Sequence, residues 1–178
     1  MNLPNWITLS RLLALPILLY CLGSPTVETR IFSMIIFLIA ATTDWLDGYL
    51  ARKLNQVTEL GKFLDPLVDK LLVLSPLLAL IQLGQVPAWG VFLILARELT
   101  IAGWRVTPGL TGATTVVGAN LWGKLKTISQ IVAIALLIAP LPENWIIVAK
   151  VTFWFSVAMT LISGAIYVLP PKSKQIET

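Results

Sequence analysis

Histidine is absent from the chain and cysteine occurs once, at Cys21. The missing histidines remove the usual general base and any imidazole metal site. One cysteine inside an apolar run excludes a disulfide framework and a thiolate metal site, and Cys21 is read as packing. Acid–base work therefore falls to carboxylates, lysine or tyrosine. Charge is scarce as well. Charged residues make up 12% of the chain against 57% hydrophobic ones, about half the charge of an ordinary soluble domain. A soluble protein of 178 residues has no means of hiding so much apolar surface, so an integral membrane protein of one domain, residues 1–178, is expected. The net charge of +4 is too small to suggest nucleic acid as a partner. Met1–Trp6 has no basic residue, so the N-terminal segment is not expected to be a cleaved signal peptide.

Turn residues divide the apolar runs into six helices, an all-α transmembrane bundle. The first follows Pro4-Asn5-Trp6 and ends near Gly23-Ser24-Pro25. The second runs from about Arg30 to Leu54 and the third from about Thr58 to Leu83. Gly84-Gln85-Val86-Pro87 is a turn, and the fourth helix continues to about Arg105. Thr107–Asn120 is rich in glycine and threonine and reads as a loop, long enough to suggest gating as well as connection. The fifth helix covers about Leu121 to Ile138. Pro140–Asn144 is a turn, and the sixth helix ends before Pro170-Pro171. Ile31–Thr43 is too short to span alone, where roughly 20 residues are needed. Its helix must continue through Asp44 and Asp47. Arg11, Arg52, Lys53, Lys62, Arg105, Lys124, Lys126, Lys172 and Lys174 fall on one side of the membrane, and Arg30 on the other. Both termini and the aspartates are thus placed in the cytoplasm. Most of the seven tryptophans, Trp6, Trp89 and Trp145 among them, fall near helix ends and read as interfacial anchors.

Against this apolar background stands one acidic frame: Asp44-x2-Asp47-Gly48-x2-Ala51-Arg52, then Gly61-x3-Asp65-x3-Asp69. Carboxylates at membrane depth cost roughly 2.5–3.5 kcal/mol each on insertion scales. On a helix, Asp44, Asp47, Gly48 and Ala51 fall within an arc of roughly 100°, and Thr58, Gly61, Asp65 and Asp69 within about 80°. Each helix presents a carboxylate pair beside small residues that admit a close ligand. Four carboxylates form an all-oxygen donor set suited to Mg²⁺ or Mn²⁺ rather than Zn²⁺. Two such ions would balance the four charges and suit an in-line displacement at phosphorus. Arg52 and Lys53 supply cations at the mouth for phosphate. A cation transporter is the alternative from another class, but Gly48 and Arg52 have no evident place in an ion path.

The frame resembles the signature of the CDP-alcohol phosphatidyltransferases at every fixed position. The resemblance implies their six-helix membrane fold, typically a homodimer. It also implies transfer of a phosphatidyl group from CDP-diacylglycerol to an alcohol, with release of CMP. Carried over residue by residue, Asp44, Asp47, Asp65 and Asp69 would hold the two divalent cations, and Asp69 would also take the proton of the attacking hydroxyl. Gly48, Arg52 and Thr58 would contact the CDP-diacylglycerol donor, joined by Asn5 and Thr8 from the early Pro4-Asn5-Trp6-Ile7-Thr8 segment. No activated serine or histidine nucleophile lies in the frame, which favours direct transfer.

The acceptor is read from cations elsewhere. Arg97 interrupts an apolar run, and an intramembrane arginine faces a partner or a cavity. Glu98 is next to it, but neighbours on a helix point about 100° apart and are not assured ion partners. Arg97, Arg105, Lys124 and Lys126 form a candidate pocket for an acceptor that itself carries phosphate. Ala96-Arg97-Glu98, Arg105 and Gly123-Lys124-Leu125-Lys126-Thr127 are similar to the branch of the family whose acceptor is sn-glycerol 3-phosphate and whose product is phosphatidylglycerophosphate. Val106 departs from that pattern, which would have an acidic residue there. Inositol phosphate and phosphatidylglycerol are the alternative acceptors. The resemblance implies a multi-pass protein of a bacterial-type cytoplasmic membrane.

Overall fold

A computed structural model of the chain describes the backbone of residues 3–24, 26–53, 59–106 and 121–168. It describes their side chains except those of 3–5, 44–53, 59, 60, 62, 63, 104–106 and 168. The described residues are all helical apart from short turns. In order, the helices are α1 (Leu3–Gly23), α2 (Val27–Lys53), α3 (Glu59–Gln82), α4 (Ala88–Val106), α5 (Leu121–Ile138) and α6 (Glu143–Val168). The loop read at Thr107–Asn120, and with it the idea of gating, lies outside the described residues.

Local chemistry fixes the helix ends. Thr26 and Thr29 open α2 with a reciprocal box. The Thr29 N–H donates to Thr26 Oγ1 at 3.2 Å, and the Thr26 N–H to Thr29 Oγ1 at 2.9 Å. Two of the orphan donors of a helix start are satisfied in this way. This box starts α2 at Val27, three residues before the expected Arg30, because capping groups lie outside the apolar run that marked the helix. At the end of α3, Gly84 adopts φ 67°. The Gly84 N–H reaches the Ile81 carbonyl and the Gln85 N–H the Leu80 carbonyl, both at 2.9 Å. That is a left-handed cap which a side chain would strain.

α1 packs against α2 and α3, α5 lies along α6, and α4 also rests on α6. The core between them is built from Leu15, Leu18, Phe37, Leu77, Leu80, Ile134, Ile138 and Phe153. Polar pairs are inlaid in it. The buried Gln130 amide donates to Thr160 Oγ1 at 2.9 Å, satisfying groups that would be costly if left bare. Glycines set how closely α4 approaches α6. A Cβ on Gly90 would stand 2.9 Å from the Phe153 ring, and one on Gly164 would stand 2.9 Å from Arg97 Cγ. At the other end of α5, Arg30 donates from Nε to the Ile138 carbonyl and from Nη2 to the Leu137 carbonyl, each at 3.0 Å. A cation there also complements the negative end of the helix dipole.

Among the described residues, three stretches are long and apolar enough to cross a membrane: Trp6–Gly23, Leu121–Ile138 and Glu143–Tyr167. The outward faces of the bundle are strongly apolar. Tyr20, Phe32, Ile39, Phe92, Ile147 and Val151 are all exposed, which suits lipid and not water. The chain is an integral membrane protein, and its described residues form six helices, three of them spans by length and composition. Charged residues interrupt the apolar runs of α2, α3 and α4.

Candidate active site

The two described aspartates of the frame, Asp65 and Asp69, lie one turn apart near the start of α3 and are both exposed. A separation of four residues puts both carboxylates on one face of a helix. Thr8, buried in α1, donates from Oγ1 to Asp65 Oδ1 at 2.9 Å. The first helix is thereby tied to the frame, and one Asp65 oxygen is oriented. Arg11, three residues on and on the same face of α1 as Thr8, is also buried.

A second polar cluster joins α4, α5 and α6. Lys126 Nζ pairs with Glu98 Oε1. The same oxygen accepts from Arg97 Nη1 at 3.2 Å. Arg97 Nη2 donates to Ser163 Oγ on α6 at 2.9 Å, and Arg97 Nε is buried with no hydrogen-bond partner. The Arg97 stem crosses α6 over Gly164, where any larger residue would collide with it. The expectation that Glu98 is no assured partner of Arg97 is corrected here. Two long side chains overcome the angle between neighbours: Glu98 reaches across to Lys126, and Arg97 bonds the same oxygen while its other amino group stays on Ser163.

The two clusters lie within electrostatic range of each other. The Asp69 carboxylate is close enough to attract Lys126, and Arg97 close enough to repel it. Lys126, Glu98, Arg97 and Ser163 form one polar path from α5 to α6, with Asp69 of α3 in electrostatic range of its Lys126 end.

The remaining candidates divide. Lys124 is exposed, while Lys126 is buried. Two residues on a helix stand roughly 200° apart, so the pair does not share a face. Asp44, Asp47, Gly48 and Arg52 lie on the helical backbone of α2, Asn5 on that of α1 and Arg105 on that of α4. The side chains of these six, and Thr58 as a whole, lie outside the described residues. Among the described residues no three carboxylates gather as a metal cluster. What is described fits hard cations all the same: two carboxylates on one helix face, open to solvent, one held by a hydroxyl, offer only oxygen donors. A cleft of about 180 Å³, lined by Arg30, Gln85, Lys150 and apolar residues, opens at the opposite end of the bundle. It has no part in this site.

Sequence reasoning passed over Ser163 and Gly164. Their signal is a small polar pair in the long apolar run of α6, a pattern that marks a close helix contact in membranes.

Comparison with known proteins decides the family. The family model described as CDP-alcohol phosphatidyltransferase matches residues 1–162. The chain belongs to the CDP-alcohol phosphatidyltransferase family. It is 44% identical over 178 residues to the CDP-diacylglycerol–glycerol-3-phosphate 3-phosphatidyltransferase of Bacillus subtilis (strain 168), covering 92% of this chain and 91% of that one. It is 39% identical over 170 residues to a probable phosphatidylglycerophosphate synthase of Mycobacterium tuberculosis (strain H37Rv), covering 94% and 80%. A third relative, the CDP-diacylglycerol–glycerol-3-phosphate 3-phosphatidyltransferase of Rickettsia bellii (strain RML369-C), is 35% identical over 172 residues, with 93% of each chain covered.

Proposed function

We propose that the protein transfers the phosphatidyl group of CDP-diacylglycerol to sn-glycerol 3-phosphate, giving phosphatidylglycerophosphate and CMP. The names of its relatives support this reaction. The structural observation that carries it is the gathering of Lys126 and Arg97 on one oxygen of Glu98, within electrostatic range of Asp69. Cations suited to an acceptor phosphate lie within electrostatic range of a carboxylate suited to its hydroxyl. A neutral alcohol would have no use for two semi-buried cations.

In this reading Asp44, Asp47, Asp65 and Asp69 hold two divalent cations, Mg²⁺ or Mn²⁺. When bound, these supply positive charge against the diphosphate of the donor. Thr8 fixes Asp65 in the orientation that binding needs. Gly48, Arg52, Thr58, Asn5 and Thr8 border the CDP moiety. Arg97 and Lys126 grip the acceptor phosphate, while Arg105 and Lys124 act as cations at its entrance. The gripped phosphate brings the free hydroxyl within reach of Asp69, which accepts its proton. The hydroxyl oxygen forms its bond to the β-phosphorus as the bond to CMP breaks. Holding both partners in place is the larger part of catalysis for such transfers.

All six helices cross the bilayer in this proposal, as one domain over residues 1–178. Both termini and the aspartates face the cytoplasm across a bacterial-type cytoplasmic membrane. Most basic residues fall at that end, and Trp89 and Trp145 are exposed at the opposite one. A homodimer is proposed on the resemblance.

The test is CMP release by purified protein in detergent with CDP-diacylglycerol, Mg²⁺ or Mn²⁺ and separate acceptors. Release is expected with sn-glycerol 3-phosphate and not with inositol phosphate, phosphatidylglycerol or serine. Release that ignores glycerol 3-phosphate and follows another alcohol would reject the assignment of the acceptor.

A further inference from the structure

Glu98 has no role in the reaction as set out above, yet it organises both acceptor cations. One of its oxygens touches Arg97 Nη1 and Lys126 Nζ together. The three side chains are semi-enclosed, with 13%, 18% and 10% of Arg97, Glu98 and Lys126 exposed. An anionic oxygen between two cations has the arrangement that a phosphate oxygen would need in the same place. While Glu98 stays, the trio carries a single net positive charge, and an incoming phosphate meets a carboxylate at close range. Both anions cannot use the same donors.

We propose that Glu98 is a positioning residue that stands in for the acceptor phosphate and exchanges with it; this rests on the acceptor reading given above. With no acceptor bound, Glu98 holds Arg97 and Lys126 at one point and prevents two like charges from separating. Phosphate displaces the carboxylate, which needs only a change of rotamer towards its exposed side. Arg97 does not follow, because Ser163 Oγ holds Nη2 and Gly164 seats the stem. After transfer the product still carries that phosphate, and Glu98 recaptures the two cations and drives it out. Glu98 therefore trades some acceptor affinity for turnover.

Kinetics of Glu98→Gln, which keeps the shape and removes the charge, test this. The KM for sn-glycerol 3-phosphate should fall roughly three- to tenfold, as expected for loss of one competing charged contact at a partly exposed site. Inhibition by inorganic phosphate should strengthen by a similar factor, kcat should fall, and the KM for CDP-diacylglycerol should not change. A merely structural Glu98 would lower thermal stability and kcat, with acceptor KM and phosphate inhibition unchanged or weakened. That result overturns the exchange. If Glu98→Gln does not fold, Glu98→Asp serves, since its shorter arm cannot hold both cations. Tighter phosphate inhibition then supports the exchange, and unchanged inhibition overturns it. Lys126→Ala separates the two readings. A raised acceptor KM in Lys126→Ala with no phosphate effect in Glu98→Gln removes the exchange alone. An unchanged acceptor KM in Lys126→Ala removes the acceptor reading and the exchange with it.

Discussion

The side chain of Arg97 lies across α6 at Gly164, where a Cβ would come within 2.9 Å of Arg97 Cγ. That contact is tighter than packed atoms allow. Gly164→Ala should displace Arg97 from Ser163 and raise the KM for sn-glycerol 3-phosphate about tenfold, the scale of one lost charged hydrogen bond. The KM for CDP-diacylglycerol should stay within about twofold. Initial-rate assays varying each substrate in turn check this, and equal shifts in both constants would point to general loosening of the helix pair.

Asp69→Asn removes the proposed proton acceptor and one ligand charge while keeping the volume. Loss of a positioned general base costs about 10²- to 10⁴-fold in rate, so CMP release should become barely measurable. Donor binding, followed with a labelled CDP-diacylglycerol, should persist in weakened form. Near-normal turnover would end the assignment of Asp69.

Thr8→Val deletes the hydroxyl that holds Asp65 and leaves the shape of α1. Asp65 is exposed, so the loss is modest, about 1 kcal/mol. It should appear as a roughly fivefold rise in the Mg²⁺ concentration needed for half-maximal rate. Thr8→Ser should restore the wild-type requirement. A Mg²⁺ titration of the three proteins distinguishes an orienting hydroxyl from simple packing.

Arg30→Ala uncaps the Leu137 and Ile138 carbonyls at the end of α5. Two charge-assisted bonds at a half-buried site make this a loss of about 1–3 kcal/mol. Thermal unfolding in detergent should show a lower midpoint. The KM values of the protein that remains folded should match the wild type, because Arg30 is at the opposite end of the bundle from the aspartates.

Much of this architecture can be read without coordinates. α5 has the expected ends, and α1, α3 and α4 begin or end within a few residues of the turns that announced them. Leu121–Ile138 is a clean apolar run between a polar segment and Pro140, so composition alone marks it. α2 differs because its first turn is made by Thr26 and Thr29, polar residues that hydropathy assigns to a loop. The frame of aspartates stands out because carboxylates are so costly in an apolar chain. The partnership of Arg97 with Glu98 and Lys126 does not stand out. It depends on α4 and α5 both packing on α6, and on a glycine of α6 leaving room, and neither is a property of any single segment.

The cap at Leu137 and the cation at Lys126 belong to one rigid rod, separated by roughly 17 Å along its axis. Arg30 pins one end of that rod and Glu98 the other. A residue inserted between them would turn Lys126 by about 100° and point it away from α4, with every side chain of the site still present. Residue count along α5 therefore acts as a ruler, and the spacing from 126 to 137 should tolerate substitution far better than a change in length.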